Sequence, residues 1–482
     1  LRFVTTRHGG PVSFNDALFE GLAPDGGLYV PESIEPWTGD ELSRLPRRTL
    51  TEIGLRALRP FTRGDIDPAT LEAVVVEALN FPIPLVEVEP RVFALELFHG
   101  PTFAFKDVGA RVMARLMASQ HRGGEPLTVL VATSGDTGSA VAHAFHRVPS
   151  TRVVILYPDG RVSPTQEAQL TMFNGERTNV RAYAVAGTFD DCHRLTRDVF
   201  GDTDLRRRMR LTSANSVNVG RLLPQSIYYF HAIAQLAGLD GRVGQEGRDA
   251  SVVFSTPSGN FGNLTAGLMA KRAGLPIAQF VAATNANDVV PAYLETGRFE
   301  PRASVQTLAN AMDVGHPSNF ERMSWLYGGD LEAMRHDVVG SRHDDDDVRG
   351  TIRRVYEERG YLLDPHSAIA YRGLKEQVGQ VGQGGQVGQV GQVGQVGREG
   401  PDGDVGRRFS GADGIRAGRF SESGQVGIFL ATAHPAKFAE VVEPIIGRAV
   451  EKPAPLAQAL ARPRHIIRIE PSLTAVKGTL DE

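Results

Sequence analysis

Apolar positions come first in scattered turns and short amphipathic stretches, then settle into a repeated beat. Residues 1–85 are of the first kind. There, Gly26-Gly27-Leu28-Tyr29-Val30-Pro31 reads as a turn into a short strand that proline stops. From about residue 86, short apolar runs alternate with helical stretches. Leu127 to Ala132 (LTVLVA) predicts a strand, with a helix over Gly138 to Arg147 behind it. Val153 to Tyr157 predicts a second strand. Ser251 to Ser255 (SVVFS) predicts a third, followed by a helix near Leu264 to Ala273. Phe280 to Ala283 and Ile428 to Ala431 predict two more. Continuous apolar strands separated by helices imply an α/β fold with mostly parallel sheets, buried on both faces. More than one such block in 482 residues implies two α/β domains with a cleft between them.

One stretch breaks the beat. From Gln377 to Gly397 the chain repeats the triplet Q-V-G, and a Gly-, Arg- and Asp-rich segment continues to about Gly424. Glycine every third residue resembles collagen, but proline is missing and the run is short. Gln and Gly bury too little apolar surface to offset the entropy of ordering, so 377–424 is expected to be a disordered surface insertion. The run Asp344 to Asp347 reads as a solvated, acidic helix start. It lacks the spaced ligands and turn glycine of a calcium loop.

Composition narrows the function classes. The hydrophobic fraction is 41% and the charged fraction 22%, ordinary for a globular protein. A formal net charge of −4 argues against nucleic acid or an anionic membrane as a partner. The single cysteine, Cys192, cannot form an internal disulfide and fits a reducing compartment, so a cytoplasmic location is expected. No run approaches 18 apolar residues, and the N-terminal L-R-F-V-T-T-R-H-G-G lacks the apolar core of a signal peptide. Monomer and homodimer are both compatible with the sequence.

Lys106 carries the first chemistry. Only six lysines accompany 46 arginines, and this one closes the segment H-G-P-T-F-A-F-K-D, His99 to Asp107. Apolar neighbours strip hydration from an ammonium and lower its pKa, leaving an amine able to form a Schiff base with an aldehyde. A snorkelling lysine paired with Asp107 fits the same letters. Two glycine-rich loops bear on the choice. Thr133-Ser134-Gly135-Asp136-Thr137-Gly138 follows strand LTVLVA, and Ser258-Gly259-Asn260-Phe261-Gly262-Asn263 follows strand SVVFS. Both open helices, where N–H groups and the helix dipole favour a phosphate or carboxylate. No lysine follows a glycine, so there is no Walker A loop, and G-x-G-x-x-G is absent from both loops. H-E-x-x-H is absent and one cysteine cannot build a thiolate zinc cluster, so no metal site is expected. An aldehyde for Lys106 and a phosphate for a glycine loop are both present in pyridoxal phosphate.

HGPTFAFKD, TSGDTG, SGNFGN, the segment Ser213 to Arg221 (SANSVNVGR) and the segment Ala431 to Phe438 (ATAHPAKF) together resemble threonine synthases. The likeness is to the longer bacterial and fungal form within the fold-type II pyridoxal phosphate enzymes. It begins at V-S-F-N-D-A-L-F-E-G-L (Val12 to Leu22) and runs beyond Phe438, leaving out the Q-V-G insertion. The resemblance implies an N-terminal helical extension over 1–85, a large cofactor-binding α/β domain over 86–110 and 216–482, and a smaller α/β domain over 111–215. It also implies conversion of O-phospho-L-homoserine and water to L-threonine and phosphate.

Residue roles follow from the same resemblance. Lys106 matches the lysine that holds the cofactor as a Schiff base. Gly259, Asn260, Phe261, Gly262 and Asn263 match the loop around the cofactor phosphate. Asp136 matches the position, often Asn, that meets the ring 3′-oxygen, and Thr432 the hydroxyl facing the pyridine nitrogen. Ser134 and Thr137 match the substrate carboxylate loop. Asn215, Ser216 and Arg221 match groups that hold the substrate phosphate. His99 and His434 lie in the motifs as direct or supporting residues, and Asp107 is expected to open the helix after Lys106. Two other readings share many of these letters: another fold-type II lyase, such as a dehydratase or phospholyase, and a non-catalytic cofactor-binding relative. The segment SANSVNVGR favours the synthase.

Overall fold

The computed structural model describes residues 1–121, 124–175, 177–240, 251–381 and 425–481. Two sheets dominate it. The larger has six strands in the order Val338–Arg342, Gln279–Thr284, Val252–Pro257, Val426–Ala431, Val92–Glu96, Leu85–Glu89. All neighbours are parallel except the last pair, an antiparallel hairpin. The smaller sheet is parallel throughout, in the order Ile467–Ile469, Val180–Val185, Thr151–Pro158, Leu127–Ala132, Arg210–Ser213. The central strands Leu127–Ala132, Val252–Pro257 and Val426–Ala431 are buried at every position, which is why they read as unbroken apolar runs. One continuous apolar core includes Leu95, Val129, Ile155, Phe254 and Ile428, and so runs through both sheets.

Sequence and structure differ in two places. Ile467–Ile469 was expected with the large domain, yet it pairs with Val180–Val185 and closes the edge of the small sheet. A parallel partner requires a crossover, and here the crossover is most of the chain. The expected disordered insertion also starts too early. Residues 377–381 finish the helix Pro365–Val381, and Gln377 Nε2 donates to Gln279 Oε1 at 3.1 Å. A helix already nucleated at Pro365 gains one hydrogen bond per added residue, whatever the triplet composition. The rest of the repeat lies outside the described residues.

Ahead of the sheets, Phe3–Thr5 pairs antiparallel with Tyr29–Pro31, beside the helices Phe14–Glu20, Gly39–Ser43, Leu50–Thr62 and Pro68–Ala78. Ser13, Thr38 and Thr49 each form a reciprocal capping box with the third residue of the helix they start. The region is not a free appendage. Asn218 Nδ2 donates to Leu18 O at 2.9 Å, and Arg322 Nε donates to Tyr29 O at 3.0 Å. Asp344 caps the helix Asp345–Arg359 by accepting from Asp346 and Asp347 N–H, the acidic start expected there. No helix among the described residues is long and apolar enough to cross a membrane.

Candidate functional site

Strand ends converge on one cavity. The turns after Leu127–Ala132, Val252–Pro257 and Val426–Ala431, and the loop that carries the chain from Val92–Glu96 to Lys106, leave the carboxyl ends of their strands, where open parallel sheets place ligands. The cavity holds about 780 Å³, a size suited to a cofactor with a small substrate. Its lining includes Lys106, Ser134, Asp136, Thr137, Asn215, Ser216, Arg221, the whole run Gly259 to Asn263, and Thr432. All thirteen residues given cofactor or substrate roles in the sequence analysis are therefore brought together. His99 and His434 are not part of the lining: His99 Nε2 meets Glu96 Oε2 at 2.7 Å, and His434 Nδ1 accepts from Ala436 N–H.

Lys106 opens the helix Lys106–Gln120. Phe105 N–H donates to Thr432 O at 2.8 Å and His434 N–H to Phe103 O at 3.1 Å, so the lysine's approach is pinned to the end of strand Val426–Ala431. Its side chain keeps some accessible surface because it faces the cavity, while protein packs densely on its other sides. That burial, helped by the Arg221 and Lys437 charges and opposed by Asp136, pushes its pKa down to about 8. Asp107 is not its partner. The Asp107 carboxylate is buried and accepts from Thr102 N–H at 2.8 Å and Thr102 Oγ1 at 2.7 Å, in the first turn of the helix.

The loop 133–138 is closed from its start. Thr133 Oγ1 accepts from the N–H groups of Gly135 and Gly138, at 3.0 and 2.8 Å. Gly135 has φ +132°, and a Cβ there would lie 2.4 Å from Gln166 Cδ, so only glycine fits. Asp136 follows, fully enclosed. Burial would raise its pKa, but Lys437 at 2.8 Å and Lys106 hold it well below the usual carboxylate range.

The loop 258–263 is closed from its end. Asn263 Oδ1 accepts from Ser258 Oγ and from Leu264 N–H, while its Nδ2 donates to Pro257 O at 2.9 Å. Phe261 takes a left-handed turn, φ +59°, into the helix Gly262–Arg272. A Cβ on Gly259 would lie 2.7 Å from Met312 Cα, so the backbone itself forms the wall there. Among the described residues, none accepts from the N–H groups of Gly259, Asn260 or Phe261.

Arg221 is buried, donates Nη1 to Ala214 O at 2.7 Å, and leaves Nε without a protein partner. Burial lowers its pKa to about 10, opposed by the charge of Asp107. Ser216 Oγ accepts from Asn260 Nδ2 at 2.6 Å, tying the SANSVNVGR segment to the second glycine loop. Asn215 also bonds the backbone: Nδ2 donates to Ala132 O at 2.7 Å and Oδ1 accepts from Ala132 N–H. The side chain thus braces the end of strand Leu127–Ala132.

Three further residues shape the site without having been singled out. Arg322, fully buried, donates to Tyr29 O, Ser216 O, Val217 O and Asn319 Oδ1, and so holds the 215–218 turn. His366 lines the cavity, with Nδ1 2.7 Å from Asp364 Oδ2 and Nε2 accepting from Ala311 N–H. Lys437 sits inside ATAHPAKF without any exposed surface. A lysine among apolar letters, the signal that marked Lys106, marks it too.

Comparisons with known proteins agree along the chain. Residues 76–390 match the family model described as pyridoxal-phosphate dependent enzyme, residues 2–79 that of the threonine synthase N terminus, and residues 411–479 that of the threonine synthase C-terminal region. The threonine synthase of Haemophilus influenzae is 43% identical over 92% of this chain and 90% of its own length. That of Escherichia coli is 39% identical over 94% and 92%. The crystal structure of the Escherichia coli threonine synthase superposes with a TM-score of 0.84 at 37% identity, covering 100% of this chain and 99% of that one. A pyridoxal-phosphate-bound threonine synthase from Brucella melitensis gives 0.83 at 34%, covering 99% and 98%.

Proposed function

Because the chain belongs to the threonine synthase family of pyridoxal-phosphate-dependent enzymes, we propose that it converts O-phospho-L-homoserine and water to L-threonine and phosphate. Its cofactor is pyridoxal 5′-phosphate. The residues present fit that group: a partly buried lysine with a depressed pKa for the aldehyde, and three N–H groups without protein acceptors for the phosphate. When bound, the cofactor withdraws electrons from the carbon that carries the substrate amine.

The observation that carries the substrate is Arg221. A buried guanidinium on the cavity lining, with one bond to a backbone carbonyl and no ion-pair partner among the described residues, fits a second phosphate, since the loop 258–263 suits the cofactor phosphate. Ser216 lines the same cavity, and Ser134 and Thr137 at the start of the helix Asp136–Phe145 suit the substrate carboxylate. Asp136 would meet the cofactor's ring edge and Thr432 its nitrogen; both line the cavity. With the cofactor bound, the Lys106 amine would take protons from Cα and Cβ as the Cγ–O bond breaks and phosphate leaves, and would return protons to Cγ and Cα as water adds at Cβ. Its pKa near 8 lets the amine be neutral in an appreciable fraction at physiological pH.

The test is an assay of purified holoenzyme for phosphate release and threonine, with O-phosphoserine as control. Threonine and phosphate in equal amounts are expected, with Arg221→Ala raising KM by on the order of 100-fold through loss of a charge-assisted pair. Release of 2-oxobutanoate in place of threonine would assign the site to a dehydratase or phospholyase.

A further inference from the structure

Lys437 and Asp136 form an ion pair that crosses the seam between the two sheets. Asp136 opens the helix behind strand Leu127–Ala132, and Lys437 lies in the turn Pro435–Phe438 after strand Val426–Ala431. Nζ stands 2.8 Å from Oδ1, with 0% and 4% of the two side chains exposed. The surroundings hold both groups in place. Lys437 Nζ also donates to Thr102 O at 2.9 Å, and Gln166 Nε2 donates to Asp136 Oδ1 at 3.1 Å. From the small-sheet side, Ser163 Oγ donates to Lys437 O and Gln169 Nε2 to Thr102 O.

We propose that Lys437 is a positioning residue that holds Asp136 as a charge-compensated carboxylate against the cofactor and thereby sets the charge felt at the Lys106 nitrogen. The inference rests on the placement of Asp136 at the cofactor proposed above. A bare carboxylate in this position would face a ligand that already carries phosphate and a ring oxygen. The paired lysine makes the combination neutral overall, as an asparagine would be. The other charged or titratable groups facing the pair are Lys106, His366, Asp107 and His434, while Arg221 faces Lys106. Asp107 is already occupied by Thr102, and His366 by Asp364 and Ala311. Lys437 is thus the cation in direct contact with Asp136.

Removing one member of a buried pair strands the other, whereas removing both leaves little behind. The test follows the bound cofactor's visible absorbance against pH, and its dissociation, in purified holoenzyme. In Lys437→Met the uncompensated carboxylate stabilises the proton on the Lys106 nitrogen. The titration midpoint should rise by about one pH unit, and the cofactor should dissociate about tenfold more readily. Asp136→Asn should move the midpoint the opposite way. The double variant Asp136→Asn/Lys437→Met should return both readouts close to wild type, and Lys437→Arg should retain them. A Lys437→Met enzyme that melts at lower temperature with an unmoved midpoint would overturn the proposal and leave a simple structural tie. An Asp136→Asn enzyme with an unchanged spectrum would instead refute the placement of Asp136 at the cofactor.

Discussion

The loops 133–138 and 258–263 leave buried parallel strands in the same way and open helices onto the same cavity, yet they present a ligand with different charge. The first contains Asp136, whose carboxylate is balanced by Lys437. The second, S-G-N-F-G-N, has no charged residue. Their internal wiring differs too. Thr133 draws two N–H groups of the first loop onto its own hydroxyl, whereas Asn263 closes the second by bonds to Ser258, Leu264 and Pro257, leaving the N–H groups of Gly259, Asn260 and Phe261 without protein acceptors. A glycine-rich strand-to-helix turn is therefore not one kind of site. The neutral loop with free donors suits a dianionic phosphate, and the acidic loop suits a ring edge and an amine, with Ser134 and Thr137 left for a carboxylate.

The contrast breaks most sharply if the second loop is given the first loop's charge. Asn263→Asp removes the donor to Pro257 O and places an unbalanced carboxylate beside the phosphate-binding N–H groups. Cofactor affinity should fall on the order of 1,000-fold, the scale of an uncompensated buried charge. Titrating apoenzyme with cofactor and following its absorbance measures this. Affinity within a few-fold of wild type would mean that neutrality is not what assigns the phosphate to this loop.

Between the loops stands Lys106, whose pKa of about 8 against an ordinary 10.5 can be tested without any ligand. The folded state disfavours the ammonium. The penalty is present in full below about pH 8 and is relieved as pH rises from there through 10.5. Apoenzyme carrying Lys106→Met should thus be more stable than wild type by about 3 kcal/mol at pH 7. The difference should shrink steadily toward pH 10.5. A gap that stays constant across that range would show that Lys106 is not desolvated and that the amine owes its reactivity to something else.

These two loops and Lys106 were legible in the sequence because their signals are local: an apolar run, a glycine cluster, a lysine among phenylalanines. What escaped depends on residues far apart. Ile467–Ile469 is three residues long and partly exposed, and its partner Val180–Val185 lies hundreds of residues earlier, so no local pattern announces it. The bonds by which Asn215 braces the distant Ala132 backbone have no local signal either. Lys437 stood in a quoted motif, yet its importance follows from Asp136, which the fold alone sets at 2.8 Å. Arg322 is similar: its carbonyl partners at Tyr29, Ser216 and Val217 come from segments that only the folded chain assembles.

The smallest effects should separate the two modes of loop closure. Thr133→Val keeps the shape of the side chain but leaves the buried N–H groups of Gly135 and Gly138 without their acceptor. Stability should fall by about 2 kcal/mol, read as a lower midpoint of urea unfolding. Ser258→Ala removes one bond to Asn263 Oδ1, which still accepts from Leu264 N–H, while its Nδ2 still reaches Pro257 O. No buried group is then left wholly unpaired, so the loss should be about 1 kcal/mol or less. Equal losses in the two variants would mean that the loops are closed with the same redundancy. The predicted inequality, if measured, places the more brittle closure at Thr133, in the loop that also carries the carboxylate.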